Sequence, residues 1–281
     1  MSFINFKPVY AVAKKEFLDN IRSKWIIGLT IIFLISTLVT SYAAGAQAGS
    51  TFGSMEETVI MLLTISSMLI PIIAIMLGYA TISGECENGS LAIVLSYPVK
   101  RIEVLLGKFF GLGSVLITSI IIGFGIGGIV ITTGAGGNAW QGYIGFILLT
   151  ILLGLLYLSL SICFSSVFSK RTTSLGGGVF VYFWGMIYGV IIIAILYATG
   201  GSYESLLSGE SFPNWLWWSV YFSPMDMSQM AVMMAFGVTQ VMGIDMTAPS
   251  YMTLWSIVAV QLIWTIIPLL LAIRFFEKRD I

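Results

Sequence analysis

Six charged side chains fall between positions 85 and 108: Glu85, Glu87, Lys100, Arg101, Glu103 and Lys108, three acidic and three basic. Charges of both signs in so short a stretch could make rim contacts to a partner. They stand between a charge-free run of 27 residues, 58–84, and another of 61 residues, 109–169. Catalysis is a poor use for them. The chain has no His, which removes Ser–His and Cys–His nucleophile pairs and the HExxH zinc site. No stretch matches GxxxxGK[ST]: LLGKFFG at 105–111 has the Gly-Lys but lacks the earlier glycine and the hydroxyl. The chain is therefore not expected to hold ATP in a P-loop or to be an enzyme.

A softer chemistry is available at Met225, Met227, Met230, Met233, Met234, Met242, Met246 and Met252. Thioethers bind Cu(I), and Met225, Met227 and Met230 would be the first candidates. Methionine is also a flexible apolar filler, and scattered spacing defines no site. Packing is the expected role, with no metal centre. Cys86 and Cys163 fall in different surroundings, one beside the polar segment and one in an apolar run, so no disulfide framework is expected.

The elements that must carry these residues follow from composition. Of 281 residues, 58% are hydrophobic and 9% charged, against about 25% charged in a soluble domain. A spanning helix needs about 20 apolar residues, and lipid leaves no alternative to helix for runs this long. The 61-residue run is broken by GAGGN at 134–138, a turn signal. The chain reads as an all-α integral membrane protein, one transmembrane domain over 1–281, with six spans at about 25–44, 58–83, 109–133, 142–168, 175–199 and 251–273. All 13 basic residues then fall on one side, and Glu56, Glu57, Glu204, Glu210, Asp226 and Asp245 on the other. The basic side is cytoplasmic by the positive-inside rule, with both termini there. The charge-free stretch 227–244 would break this parity if it spanned alone, so 211–244 reads as an external, interfacial or re-entrant segment. AGAQA at 44–48 resembles a signal-peptidase site, but the long charged lead and spanning-length run read as an uncleaved first helix. The six spans hold no Asp, Glu, Lys, Arg or His, which disfavours a gradient-driven pump. Energy would enter through a partner.

Two segments could carry function. Tyr10, Ala13, Phe17 and Ile21 share one helical face, with Lys15, Asp19 and Arg22 elsewhere, which predicts an amphipathic helix on the inner surface. In the polar segment, Glu85 and Glu87 close the second span, Asn88-Gly89 is a turn, and LAIVLS at 91–96 is a short apolar piece that Pro98 stops. KRIEVLLGK then opens the third span. This predicts a short helix held flat at the cytoplasmic face, either docked to another subunit or skimming the membrane.

The pieces ECENGSL, AIVL, SYPVKR and LLGK resemble the ABC-2 type permeases, as do AVAKKEFLDNIRSKW near the start, YFSPMDMSQMAVMMAFG before the last span and the ending RFFEKRDI. The resemblance covers essentially the whole chain and is closest to the NosY-type members, associated with copper-enzyme maturation. Cys86 stands where the family often has a basic residue, and Ser90 where it has Thr. The resemblance implies a permease subunit in the plasma membrane, paired with a second copy of itself as a homodimer and acting as an exporter. Two copies of an ABC ATPase subunit would carry ATP and Mg and dock on a coupling helix. The residues carried over to that surface are Glu85, Glu87, Asn88, Gly89, Leu91, Ile93, Val94, Leu95, Ser96, Pro98, Lys100 and Arg101. A non-transporting scaffold that passes ATPase motion to an external partner protein is the alternative. A channel is weaker, because no charged ring or filter-like repeat is visible. Nothing points to nucleic acid.

Overall fold

The computed structural model describes residues 5–48, 51–53, 55–90, 99–135, 140–200, 213–238, 240–241, 244–245 and 248–279. Of the residues expected to form the coupling helix, Leu91, Ile93, Val94, Leu95, Ser96 and Pro98 lie outside the described set.

Among the described residues the fold is all-α apart from one two-residue antiparallel pair. Helix α1 is Phe6–Ile21 and α2 is Lys24–Ala48. The return is α3, Met55–Gly78, followed by the short α4, Ser83–Glu87. Three long helices follow: α5, Arg101–Ala135, α6, Trp140–Val167, and α7, Arg171–Ala198. A short α8, Asn214–Ser219, leads through a 3-10 turn, Val220–Phe222, into α9, Pro224–Phe236. The pair β1, Gln240–Val241, and β2, Ile244–Asp245, precedes α10, Leu254–Glu277.

Among the described residues six helices are long and apolar enough to cross a membrane: α2, α3 continuing through α4, α5, α6, α7 and α10. Each matches one expected span. The largest difference is at α5, which begins at Arg101, eight residues before the expected 109. Charge marks the edge of an apolar run, but it does not stop a helix whose charged groups find partners inside the protein.

Helix α6 lies at the centre, with 14 buried residues between Tyr143 and Ser166. α3, α5 and α10 pack around it. α7 and α10 turn broad apolar faces outward, with Phe180, Val190, Trp255 and Leu270 more than half exposed. Faces of this kind belong against lipid or another chain rather than water.

α1 lies against the first turns of α5. A side chain begun at Gly107 would meet Val12 Cβ at 2.6 Å, and one begun at Gly111 would meet Glu16 Cβ at 2.6 Å. The two glycines thus let the helix backbones touch. Val9 is the buried residue of α1, while Tyr10 is 68% exposed, because contact through Gly107 and Gly111 selects Val9, Val12, Ala13 and Glu16.

The stretch from α8 to α9 is a re-entrant hairpin. At its tip, Met225 Sδ and the Tyr157 hydroxyl both approach Gly185, at 3.2 and 2.9 Å from where its Cβ would stand. Gln229 Nε2 donates to Ser67 Oγ at 3.1 Å. Gly185, Tyr157 and Ser67 lie about 15–26 Å from either end of α7, α6 and α3, from a rise of about 1.5 Å per residue. At the other end of α9, Phe236 reaches Gly142, near the start of α6. α9 therefore runs from mid-length of the bundle to its acidic end. Asp226, expected among the external acids, instead stands in the first turn of α9 near the tip.

Candidate functional site

The basic end of the bundle is held by charges. Lys108 Nζ donates to Glu16 Oε1 at 2.8 Å and Glu85 Oε1 at 2.7 Å, and Lys108 is only 4% exposed. A buried ammonium is tolerated only when paired and hydrogen-bonded. Here one cation joins α1, α4 and α5.

Glu103, also buried, ties two helix starts. Its Oε2 accepts from the Lys100 backbone N–H at 3.0 Å and its Oε1 from the Asn5 N–H at 2.9 Å. The first contact is the reach of a third-position Glu back to the residue that caps the helix. The second brings a carboxylate to the positive end of α1.

Arg101 closes the opposite flank. Its Nη1 donates to the carbonyls of Phe276, Glu277 and Arg279 at 2.9, 3.0 and 2.6 Å, and its guanidinium sits 5.8 Å from the Phe276 ring centre. These carbonyls end α10, where the helix leaves acceptors unused. Arg279 in turn donates to the carbonyls of Phe168 and Ser165 at 2.6 and 3.3 Å.

The root of the polar segment is fixed as firmly. Ser165 Oγ accepts from the backbone N–H of Ile82 and Ser83 at 2.9 and 3.0 Å. Arg171 donates from Nε to Glu87 Oε2 at 3.2 Å and from Nη2 to Asn88 Oδ1 at 2.6 Å. The Asn88-Gly89 turn forms as expected, with Gly89 at φ 71°, a conformation glycine adopts without the Cβ clash.

Of the sequence-predicted residues, Glu85, Glu87, Asn88 and Arg101 are thus tied into the bundle at the two ends of the segment, and Gly89 forms the turn beside Asn88. Lys100 contributes its backbone N–H to Glu103. Sequence reasoning assigned no role to Glu16, Glu103, Lys108, Ser165, Arg171 or Arg279. The one signal for Lys108 was a charge set a full two turns inside a helix start.

The methionine candidates Met225, Met227 and Met230 pack within the apolar interior. They are 6%, 0% and 7% exposed and belong to the main apolar cluster. Among the described residues no group of three His, Cys, Asp or Glu could hold a metal ion, and Cys86 and Cys163 are unpaired with each other.

Six apolar helices with a locked, charged end define the class, a multi-pass helical membrane subunit. The profile of the ABC-2 family of transporter proteins matches residues 10–281, and the chain belongs to that family. It is 29% identical over 290 aligned residues to a protein of Pseudomonas aeruginosa named "Probable ABC transporter permease protein NosY", with 97% of this chain and 99% of that one covered. A protein of the same name from Stutzerimonas stutzeri is 27% identical over 283 residues, covering 96% and 98%. The chain is accordingly a transmembrane permease subunit of an ABC transporter.

Proposed function

We propose that this permease works as an exporter, driven by two copies of a separate ATPase subunit that dock on the segment between α4 and α5. ATP and Mg would reside on that partner. Two copies of the chain would pair in the plasma membrane, with both termini cytoplasmic and the outward faces of α7 and α10 available for lipid or for the second copy.

The observation that supports this reading best is the anchoring of the segment's flanks. On one side Glu85 is held by Lys108, and Glu87 and Asn88 by Arg171; on the other Arg101 is held by the end of α10. Force applied between residues 90 and 99 would therefore reach α1, α5, α7 and α10 together, where a free loop would merely bend. Leu91, Ile93, Val94 and Leu95 would fill a groove on the ATPase.

Loss of a well-buried interface anchor costs about 2 kcal/mol or more, and loss of a rim charge less. Leu95→Asp should release or uncouple the ATPase, and Lys100→Ala should do so weakly. Co-purification and ATP turnover of the assembled complex are the readouts. Wild-type retention and transport-coupled turnover in Leu95→Asp would refute the docking assignment. Nucleotide-dependent transport in vesicles separates an exporter from a scaffold acting on an external partner.

A further inference from the structure

We propose that the pocket between α7 and the tip of the re-entrant hairpin binds an apolar ligand bearing a cationic, ammonium-type group, with Asp226 as its counter-charge. The claim concerns binding and goes beyond the transport reading: it holds for cargo in transit or for a resident lipid.

The cavity measures about 250 Å³, and Asp226, Gln229, Tyr188, Trp217, Ile193 and Met230 are among the residues that line it. Its carboxylate stands near mid-length of the bundle, where an ionised group is costly unless compensated. The chain cannot compensate it. No Lys, Arg or His occurs from 25 to 99 or from 172 to 273, so every cation is confined to the basic end. The ion pairs among the described residues accordingly leave Asp226 out. Its hydrogen bond with Ser223, whose Oγ accepts from the Asp226 N–H at 3.3 Å, caps α9 and brings no positive charge.

The space before the carboxylate is kept open. A side chain on Gly189 would begin 4.0 Å from Asp226 Oδ1. One turn away on the same face of α7, the Tyr157 hydroxyl lies 2.9 Å from where a Cβ on Gly185 would stand, fully buried and with no hydrogen-bond partner among the described residues. Tyr188 and Trp217 add aromatic surface suited to an ammonium group. Ile193 and Met230 supply wall for an alkyl body. Carboxylate, aromatic faces and apolar wall together select a cation with a hydrophobic tail.

The test uses the full chain in nanodiscs of phosphatidylglycerol, a lipid without an ammonium group, with radiolabelled decyltrimethylammonium as probe and 1-decanol as the neutral control. Saturable binding of the cation above empty nanodiscs is expected. Asp226→Asn should weaken it by about tenfold or more while decanol binding is unchanged, the loss expected when a partly desolvated charge pair is removed. Gly189→Leu should block the pocket without touching the charge. Adding phosphatidylethanolamine names the source: competition that requires Asp226 makes the occupant a lipid headgroup, and its absence makes it a free cation. Equal cation binding by wild type and Asp226→Asn would overturn the proposal. So would wild-type nanodiscs that hold no more cation than empty ones, a readout that does not depend on any variant folding.

Discussion

Lys108 joins three helices through a single buried charge. Its ammonium is almost fully enclosed and touches one carboxylate from α1 and one from α4. Without it Glu16 and Glu85 would face each other across a desolvated gap, both short of a partner. Removing one member of a buried ion cluster typically costs about 3–5 kcal/mol. Lys108→Met is therefore expected to lower thermal stability of the purified subunit strongly. Adding Glu16→Gln and Glu85→Gln in the same chain should recover much of the loss, because amides tolerate the dry site. Thermal unfolding of the single and triple variants checks both statements; an unshifted single variant would mean the cluster is solvated. Met227 illustrates the opposite case at this scale: a residue type with metal chemistry available, fully buried in apolar contacts, acting as filler.

At the scale of elements, the informative pair is α1 on α5. An amphipathic helix bound only by lipid would present one apolar stripe to the membrane. α1 instead docks onto protein through the backbone-level contact at Gly107 and Gly111. Its exposed Phe6 and Tyr10 remain for the membrane surface. Gly107→Leu places carbon where Val12 Cβ already lies, 2.6 Å from the first added atom, so α1 must lift away. A cysteine at Val9 is expected to be shielded in the parent and labelled in Gly107→Leu, read by thiol reagent on inside-out vesicles. Equal protection would mean that α1 does not depend on this contact. The hairpin makes the same point about loops. Its segment is too short and too interrupted to span, yet it reaches mid-bundle because α3, α6 and α7 leave a slot that Gly185 and Gly142 keep narrow enough to fill.

The whole molecule is polarised. Thirteen basic residues gather at one end of the bundle, Glu57 stands in the first turn of α3 at the other, and Asp226 lies between them in the first turn of α9. If the basic end is cytoplasmic, cysteines replacing Lys7, Lys170 and Lys278 should resist an impermeant thiol reagent in intact cells, on a background lacking Cys86 and Cys163. Cysteines replacing Glu57 and Glu210 should react. Labelling at 278 from outside would break the six-span topology.

Much of this was legible residue by residue. Spans, their number and their expected orientation follow from lipid itself: it admits only helices of a set length and penalises charge locally, so the rule acts on each short window of sequence. The Asn88-Gly89 turn is equally local. The pairing at the basic end is not. Lys108 meets Glu16 across 92 positions and Arg279 meets Phe168 across 111, separations that no periodicity records. The depth of Asp226 was hidden for the same reason. Its sequence neighbours mark it as part of a polar connection, while its surroundings come from Gly189 and Tyr157 on two other helices. Local polarity determines which side of the membrane a segment starts from; only packing among distant helices determines how far it reaches back in.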